Sequence, residues 1–598
     1  MSLRRQAVCL GLAALLPAAA HADESLGTMT VSANRTETAV AASGSSVTVI
    51  TAEEIEKKQA VTALDVIRDV PGVNLATSGG SGKTTYLSIR GFASKGILIL
   101  VDGVNVADPS GNQTTYDLTN LPADNIERIE VLRGSQSTLY GSEAMGGVIS
   151  ITTKGGKGSG KVVTGETGIE WGSRGTAKGF VNARGESGGV YYSGGLSGLT
   201  TQGFDISRDG PNEADGNKTG AANLRLGSDL VTDVGILDRL NVEASGRYLK
   251  AKPEFDAWGT NAATDDSSTA RTIEQSGKLT ANVDLFDGLL ANSISASQSK
   301  TRRDYYDATW GTTFYDGEIT KYEYQGTLKP VEHNTLVFGA DRRRDHMETN
   351  VQDSTAVTND GIFGNYILGL LDDDLTLTAG VRHDDHESFG GNTTWRTTAA
   401  YLIPETGTRF HASYGTGFRA PSLFELYDTT WGSGNPDLKP EKSRGYDLGF
   451  EQSVLDDRVT FGSTFFNNRL KNAIVANASS SWRNENIASA RGYGFENSVT
   501  AELTDELALT VNHTYTQARD NTSGRAMPNQ PHHTGNARLS YDPKQVEGLD
   551  TWVATRTATW SYDNGTSSSL GGYLVWDLGA SYAVTDWARV YARLEHLA

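Results

Sequence analysis

Two short stretches of the sequence carry residue types that could do chemistry. The first, residues 78–85, reads Ser-Gly-Gly-Ser-Gly-Lys-Thr-Thr and has the composition of a phosphate-binding loop. Such a loop needs a glycine five positions before Gly82, and Thr77 occupies that position. Residues 86–89 predict a strand, whereas a phosphate site needs a helix whose N-terminus points at the ligand. We therefore interpret this stretch as a glycine-rich loop that binds no nucleotide.

The second stretch, residues 383–387, reads His-Asp-Asp-His-Glu and could bind a metal ion. Neighbours in an extended segment point to opposite faces, so only some of these side chains could converge. We predict a solvated external loop here, and we interpret His532 and His533 in the same way. No Ser/His/Asp arrangement and no carboxylate pair stands out among the 72 acidic residues, so the sequence predicts a protein that is not an enzyme.

The composition excludes several classes of protein. The chain has 53 Lys and Arg against 72 Asp and Glu, a net charge of −19, which disfavours nucleic acid as a partner. A mean hydropathy of −0.39 does not fit a helical membrane protein, and 23 Tyr, 17 Phe and 10 Trp do not fit a disordered chain. With 67 Gly but only 14 Pro, the composition favours a large β protein.

The N-terminus predicts export. Residues 1–22 contain Arg4 and Arg5, then an apolar run, then Ala-His-Ala, which are the three regions of a signal peptide cleaved after Ala22. The single cysteine, Cys9, lies in this segment, so the mature protein would have no disulfide. No later stretch approaches the 18 or more apolar residues of a spanning helix, so a membrane-embedded form of this chain would be a barrel.

Residues 48–153 show a mixed α/β pattern. Thr51 and Glu54 form a capping-box signature for a helix that ends near Lys58, and a second helix is predicted over residues 63–70. Apolar strands are predicted at residues 97–101, 126–132 and 148–151. The Gly-rich stretch 155–160 predicts a flexible junction to the next region.

The remaining chain alternates with period two. Leu574, Trp576 and Leu578, for example, share one face, whereas Asp577 and Ser581 lie on the other. Segments with an apolar outer and a polar inner face, repeated over about 440 residues behind a signal peptide, indicate a transmembrane β-barrel. At about 20 residues per strand and connection, the barrel would have about 22 antiparallel strands, a size at which the lumen must be plugged. The preceding α/β domain is the predicted plug.

The sequence resembles the TonB-dependent outer-membrane receptors over nearly the whole mature chain. In the plug, the resemblance rests on residues 65–73 (Asp-Val-Ile-Arg-Asp-Val-Pro-Gly-Val), 89–91 (Ile-Arg-Gly), 100–103 (Leu-Val-Asp-Gly), 126–134 (Ile-Glu-Arg-Ile-Glu-Val-Leu-Arg-Gly), 139–141 (Leu-Tyr-Gly) and 146–149 (Gly-Gly-Val-Ile). In the barrel it rests on residues 435–442 (Asn-Pro-Asp-Leu-Lys-Pro-Glu-Lys) and 491–496 (Arg-Gly-Tyr-Gly-Phe-Glu). Ser135 departs from the family, which usually has proline there.

The resemblance implies a domain order and a set of partners. We expect a signal peptide at 1–22, a Ton-box segment within 23–40, a plug at 41–155 and the receptor barrel at 156–598. The expected Ton box is Thr28, Met29, Thr30, Val31, Ser32 and Ala33, an extended segment able to add a strand to the edge of a partner's sheet. The implied partners are TonB with its inner-membrane energising complex, the transported ligand, outer-membrane lipid and the barrel assembly machinery.

In residues 28–35, 79–82, 203–205, 213–216 and 255–257, the sequence is most similar, within the family, to cobalamin (vitamin B12) transporters. This likeness implies a corrinoid ligand; the alternatives are a ferric siderophore, then haem, and, in a different class, a passive porin-like channel. By alignment the ligand-contacting plug positions are Thr84, Tyr86, Ala93, Gly111, Asn112 and Gln113, several of which differ in type from the family's polar residues. The likeness also implies structural calcium held by the acidic residues of external loops, namely Asp205, Glu213, Asp215, Asp256 and Asp266. No catalytic cofactor is implied.

The C-terminal strand pattern predicts one further strand. Ala588, Val590 and Ala592 alternate with polar neighbours up to the end of the sequence. Family members continue through a turn and a last strand ending in an aromatic residue, and an unpaired strand edge in hydrocarbon is costly. We therefore expect a strand of about 9 to 11 residues beyond Ala598.

Overall fold

The computed structural model shows a large antiparallel barrel that encloses a small mixed domain. It describes residues 7–15, 29–30, 32–111, 116–205, 214–255, 268–307, 311–477, 480–521, 523–562 and 569–597. Among these residues, no helix has both the length and the apolar character needed to cross a membrane. Asn112, Gln113, Glu213, Asp256 and Asp266, all named above as site residues, lie outside the described ranges.

The plug is built on a five-stranded sheet in the order β4-β10-β11-β8-β9, in which β8 and β11 are parallel. The elements preceding the barrel are β1 (Ala7–Leu15), β2 (Met29–Thr30), β3 (Thr38–Ala39), β4 (Ser46–Thr51), α1 (Ala52–Lys58), α2 (Ala63–Ile67), β5 (Val73–Thr77), β6 (Thr85–Ile89), β7 (Phe92–Ala93), β8 (Ile97–Val101), β9 (Val104–Asn105), β10 (Ile126–Arg133), α3 (Ser137–Tyr140) and β11 (Gly147–Thr153). Short 3-10 helices occupy Val40–Ala42, Ser94–Gly96, Leu118–Asn120 and Ala123–Asn125. A second sheet contains β5, β6 and β7.

The first two plug helices, α1 and α2, follow local signals. Thr51 and Glu54 form the predicted capping box, with the Thr51 N–H donating to the Glu54 carboxylate at 2.8 Å. The second helix ends at Ile67, three residues earlier than predicted. Pro71 disfavours helical backbone in the residue before it, and Gly72 adopts a φ of 77° while its N–H donates to Thr514 Oγ1 at 2.9 Å. The Pro-Gly turn therefore docks on the barrel wall.

The core of the plug lies between α2 and the central strands of the sheet. Ile129 and Val131 of β10 are fully buried beside Ile149 of β11, and they belong to the same cluster as Val66 and Ile67 of α2. Burial of about 25 cal/mol per Å² of apolar surface is the main favourable term for such a cluster. The strands predicted from apolar runs are all present.

Within the described ranges, the closed barrel has 22 strands, which confirms the predicted fold class. They are β1, β12 (Thr164–Gly172), β13 (Thr176–Ser187), β14 (Val190–Phe204), β15 (Asp215–Val234), β16 (Leu237–Pro253), β17 (Thr269–Leu285), β18 (Leu290–Asp307), β19 (Gly311–Val331), β20 (Asn334–Thr349), β21 (Thr355–Leu370), β22 (Leu375–His386), β23 (Gly390–Ile403), β24 (Thr408–Arg419), β25 (Glu441–Val454), β26 (Val459–Asn477), β27 (Arg483–Thr504), β28 (Leu507–Asp520), β29 (His533–Tyr541), β30 (Leu549–Ala558), β33 (Tyr573–Thr585) and β34 (Ala588–Leu597). Outside the barrel lie the pair β31 (Ser561–Tyr562) and β32 (Ser569–Leu570), the helix α4 (Leu423–Tyr427) and a 3-10 helix at Pro404–Thr406.

Side chains alternate across the barrel wall as predicted. On β33, Leu574 and Trp576 are exposed on the outside, whereas Asp577 is buried inside and bonds to Arg556 at 2.8 Å. Connections such as 235–236 and 332–333 are tight, whereas 420–440 is long. In bacterial outer-membrane barrels the short turns face the periplasm and the longer loops face outward, so the two ends can be assigned.

The barrel closes through β1, which pairs with both β34 and β12. These nine residues belong to the segment predicted as a signal peptide. An apolar strand here pairs with the backbone N–H and C=O groups of both neighbouring strands. Each such group would cost several kcal/mol if it were left unpaired in lipid. A segment removed on export cannot fill this position in the mature barrel. Cleavage after Ala22 and a further strand after Ala598 both stay predictions.

Residues 383–386 continue β22, so the predicted external loop is wrong there. Alternation places the side chain of Asp384 inside, buried against Arg382 at 2.7 Å, while His383 is exposed and bonds to Thr393 at 2.9 Å. Strand pairing with β23 outweighs the polar composition of the stretch. Among the described residues, no group of three or more His, Cys, Asp or Glu could hold a metal ion.

Candidate functional site

The structure describes Met29, Thr30, Ser32 and Ala33 of the predicted Ton box, and these residues, which we call the Ton-box segment, are folded against the plug. Met29 and Thr30 pair with Thr38 and Ala39 in the β2–β3 hairpin. Thr30 and Ala33 are 0% exposed, and Ser32 is also buried. Thr28 and Val31 lie outside the described residues. A segment held in this way cannot offer its backbone to a partner's sheet until it is released.

One carboxylate holds the segment. Oε2 of Glu130, on β10, accepts hydrogen bonds from Thr30 Oγ1 at 2.5 Å, Ser32 Oγ at 2.5 Å and Ser32 N at 3.0 Å. Its other oxygen, Oε1, lies 3.0 Å from Arg128. Tyr140 adds a hydrogen bond from its hydroxyl to the Ser32 carbonyl at 2.9 Å. We call these contacts the Glu130 clamp. Glu130 is only 3% exposed, so its bonds are shielded from water.

Arg35 ties the end of the segment to the barrel. Its Nη2 lies 2.5 Å from the Glu323 carboxylate of β19, and Nη1 donates to the Leu139 carbonyl at 3.2 Å. The guanidinium lies 5.2 Å from the Tyr140 ring centroid and 5.0 Å from that of Phe363. Burial alone would lower the pKa of Arg35, but Glu323 outweighs burial and raises it. The cation is therefore retained inside the lumen.

A cavity of about 400 Å³ lies between the plug and the barrel wall. At its periplasmic end it is lined by Ser32, Arg35 and Glu130, and near the extracellular loops by Ser422 and Leu423. The Glu130 clamp therefore borders a space that reaches toward the outer face of the plug.

On another side, the plug is fastened by buried charges. Arg90 is 1% exposed and forms a bidentate pair with Glu496, with Nε–Oε1 at 2.7 Å and Nη2–Oε2 at 2.8 Å. Asp447 lies 3.4 Å from Arg90 Nη1, and Arg133 lies 3.6 Å from Glu496. Removing one partner of such a buried pair leaves an uncompensated charge, which typically costs about 3 to 5 kcal/mol.

The predicted ligand contacts lie at the extracellular side of the plug. Thr84 and Ala93 are exposed, Tyr86 is half-buried, and all three belong to or border the β5–β6–β7 sheet. The neighbouring loop meets the extracellular ends of β15 and β16, where Lys83 donates to the Glu254 carbonyl. Gly111 lies elsewhere and is buried against the barrel.

Gly111 packs beside Arg303 of β18. A Cβ at this position would lie 3.3 Å from Arg303 Nη2, and Arg303 in turn pairs with Asp108 at 2.8 Å. The structure therefore groups three of the four described ligand positions and places the fourth in a separate plug segment. Asn112 and Gln113, which follow it, lie outside the described residues.

Both domains of the chain match known protein families. Residues 169–595 match the family model "TonB dependent receptor-like, beta-barrel", and residues 39–148 match the "TonB-dependent Receptor Plug Domain". The chain belongs to the TonB-dependent receptor family. Its place is therefore the outer membrane of a Gram-negative bacterium, its partner class is TonB, and it is a transporter, as predicted.

The receptor is similar to one curated protein in sequence and to several solved structures in fold. It is 30% identical over 596 residues, 96% of this chain and 92% of the other, to the vitamin B12 transporter BtuB of Photobacterium profundum. Among solved structures, it is similar to a ferric enterobactin receptor mutant from Pseudomonas aeruginosa in complex with enterobactin, with a TM-score of 0.76, 19% identity and coverage of 92% and 99% of the two chains. The siderophore receptor PirA from Acinetobacter baumannii gives a TM-score of 0.74 at 20% identity, covering 92% and 98%. At these identities the solved structures show the fold alone.

The predicted calcium ligands of this receptor are partly described. Asp205 directly follows Phe204, which pairs with Asp215 across a bulge at the extracellular end of β14 and β15. Gly203 adopts a φ of 69° there, and a Cβ would lie 2.0 Å from the Asp215 carbonyl, so the bulge requires glycine. Oδ1 of Asp205 is buried and forms no hydrogen bond among the described residues. A buried carboxylate oxygen without a hydrogen bond fits the chemistry of a hard cation such as Ca²⁺.

Several functional residues of the receptor were not predicted from sequence. Alternation along residues 126–132 puts Glu130 on the polar face of its strand, and neither Arg35 nor Glu323 carries a local signal. Arg90 and Glu496 each lie within a family motif, at residues 89–91 and 491–496, and the structure shows that these two motifs meet. One motif contains an arginine and the other a glutamate, and this opposite charge is the sequence feature that could have predicted an ion pair between them.

Proposed function

We propose that this receptor imports cobalamin or a related corrinoid by TonB-dependent transport. The observation that carries the proposal is the 30% identity to a vitamin B12 transporter, which extends over 96% of the chain. The siderophore receptors share only the fold, at 19% and 20% identity. A ferric siderophore is therefore the competing ligand in the test.

The geometry supports a two-step use of the Ton-box segment. While the Glu130 clamp holds Thr30 and Ser32, the segment is buried and its backbone is not accessible for pairing with a strand of TonB. Once the segment is released, its extended backbone can pair with TonB through main-chain hydrogen bonds. TonB then transmits force from the inner membrane, since the outer membrane has neither ATP nor a proton gradient.

Calcium would act on the ligand side. We propose that Asp205, Glu213, Asp215, Asp256 and Asp266 hold Ca²⁺ between the β14–β15 and β16–β17 loops. Neutralising the acidic side chains would let the loops order before the corrinoid arrives, which lowers the entropic cost of binding. Replacing Asp215 and Asp256 by Asn should weaken corrinoid binding and remove its calcium dependence. If chelation leaves the affinity of the native protein unchanged, the assignment fails.

The ligand proposal is tested with the purified full-length receptor. Binding of cyanocobalamin and of ferric enterobactin is measured in parallel by tryptophan fluorescence, and uptake of radiolabelled cyanocobalamin is measured in cells with and without an uncoupler of the proton gradient. We expect cyanocobalamin to bind and uptake to require the gradient. Tight binding of ferric enterobactin alone would assign a siderophore, and uncoupler-resistant uptake would assign a passive channel.

The Ton-box assignment is tested by Thr30→Pro. Proline removes a backbone donor from the strand that TonB would pair with, so transport should stop while cyanocobalamin binding at the outer face persists. Thr30→Ser keeps both the donor and the hydroxyl that reaches Glu130, and it serves as the control. Normal uptake kinetics in the proline variant would refute the assignment.

A further inference from the structure

Four arginines stand directly opposite one another across four adjacent barrel strands. The strand register pairs Arg444 of β25 with Arg469 of β26, Arg469 with Arg491 of β27, and Arg491 with Arg519 of β28. We call this row the arginine ladder. One step toward the extracellular end, the register also sets Lys442 opposite Lys471. Like charges in directly opposed positions destabilise a sheet.

The ladder faces outward. On the same strands, alternation turns Asp447 and Glu496 inward, toward Arg90 of the plug. Arg444, Arg469 and Arg519 are exposed, and Arg491 is half-buried. The ladder therefore lies on the lipid-facing wall, not in the lumen.

The positive charge of the ladder is uncompensated. No carboxylate oxygen of the described residues lies within ion-pair distance of any ladder arginine, or of Lys442 or Lys471, although these described residues form 42 such pairs and the full chain has a net charge of −19. The neighbours that do contact the ladder are neutral: Arg491 Nε donates to Asn467 Oδ1 at 3.0 Å, and its guanidinium lies 4.6 Å from the Tyr493 ring centroid. These contacts fix a guanidinium without neutralising it.

The rows below the ladder identify its depth in the membrane. The next row toward the periplasm is Tyr446, Asn467, Tyr493 and Gln517, and the following one is Leu448, Phe465, Phe495 and Tyr515. In the latter row, Leu448 is 60% and Phe495 is 46% exposed on the outside. A step from apolar to tyrosine-rich rows marks the edge of the hydrocarbon layer. The ladder therefore lies at the level of the outer-leaflet headgroups.

We propose that the arginine ladder binds the phosphate groups of the phosphorylated glycolipid that forms the outer leaflet. Arginine is suited to this ligand because its planar fork donates two parallel hydrogen bonds to a phosphate. A ligand with two phosphates on one headgroup would relieve the repulsion along the row, and its acyl chains would lie against Leu448, Phe465 and Phe495. The net charge of the protein would repel an anionic lipid, because the protein as a whole is anionic. Binding therefore depends on the local positive charge of the ladder.

The test compares three probes on the purified receptor in detergent. Native mass spectrometry measures binding of lipid A with two phosphates, of the same lipid A after enzymatic removal of both phosphates, and of inorganic phosphate. The test variant is Arg469→Gln with Arg491→Gln. The control variant is Arg458→Gln with Lys544→Gln, which removes the same charge at the periplasmic end, where both side chains contact Asp505.

We expect the apparent dissociation constant for bisphosphorylated lipid A to rise at least about tenfold in the ladder variant and to stay within about twofold in the control. The dephosphorylated lipid should bind native receptor and ladder variant alike. Equal binding of the two lipids by the native protein, or unchanged binding in the ladder variant, would overturn the proposal. Displacement of the lipid by equimolar inorganic phosphate would assign the row to free phosphate and would overturn it as well. Cyanocobalamin binding and heat-resistant migration on gels check that each variant is folded.

Discussion

Glu130→Gln should release the Ton-box segment. The substitution keeps the size of the side chain but removes the charge that accepts from Thr30 and from both donors of Ser32. Hydrogen bonds to a charged group contribute about 1.5 to 3 kcal/mol, against about 1 kcal/mol for neutral ones. A loss of about 1 kcal/mol for each of three bonds sums to about 3 kcal/mol, which shifts the docked-to-released equilibrium by roughly a hundredfold.

The released fraction can be read from a buried thiol. Ala33 is fully buried beside Leu98 and Leu132, so a cysteine there reacts with iodoacetamide only when the segment opens. Cys9 is the single native cysteine and is replaced by Ser in all variants. We expect Ala33→Cys to react about a hundredfold faster in the Glu130→Gln background.

The matched control is Glu127→Gln on the same strand. Glu127 forms a partly exposed pair with Arg184 at 3.2 Å, and pairs in contact with solvent contribute about 0 to 1 kcal/mol, so labelling should change little. Hydrogen exchange of residues 32–35, measured with native Ala33, excludes an effect of the thiol itself. If Glu130→Gln changes neither the labelling rate nor the exchange by more than about twofold, the clamp does not control release.

Two further predictions concern charged contacts outside the clamp. Arg90→Ala removes the bidentate partner of buried Glu496 and leaves only the longer contact with Arg133 at 3.6 Å, which should destabilise the docked plug by about 3 kcal/mol and be visible as a lower unfolding temperature in calorimetry. In α4, burial alone would raise the pKa of Glu425, but Arg419 and Lys95 hold it at about 2. Because this folded-state pKa is below the unfolded value of 4.5, the pair contributes about 3 kcal/mol above pH 4.5, and the contribution is lost as the pH falls through about 2. The protection factors of the amides of residues 423–427, which are exchange rates corrected for the intrinsic effect of pH, should therefore fall between about pH 5 and about pH 2.

Each of these predictions has a variant that separates it from general instability. Arg342 pairs with Asp360 on the outer wall, where the two side chains are 65% and 48% exposed, so Arg342→Ala should leave the unfolding temperature nearly unchanged. Glu425→Gln should flatten the acid dependence of these protection factors. A calorimetric trace for Arg90→Ala that matches the native one, or an acid response that survives Glu425→Gln, would contradict the respective prediction.

The sequence was informative wherever one strand or helix carried its own signal. The capping box of α1, the apolar plug strands and the faces of β33 all followed from local spacing. Glu130 did not, because alternation places it on a polar face and cannot show that residues about 100 positions earlier cover that face. The arginine ladder needs the register of four strands, which single-strand patterns do not contain. Contacts between segments that are distant in the chain therefore could not be predicted from the sequence.

The order of the plug strands determines where a pull by TonB acts. After the clamp opens, the chain leads to residues 41–45, which the barrel still holds, since Arg409 donates to the Ala41 carbonyl at 2.9 Å and Arg396 to Ser45 at 3.1 Å. Beyond them lies β4, an edge strand whose first residue, Ser46, pairs with Arg133 of β10. Because β4 has only one neighbour in its sheet, its hydrogen bonds to β10 carry the load before any bond between β10, β11 and β8. The Arg90–Glu496 pair fastens a different part of the plug, so force from the N-terminus can detach β4 while that part stays docked.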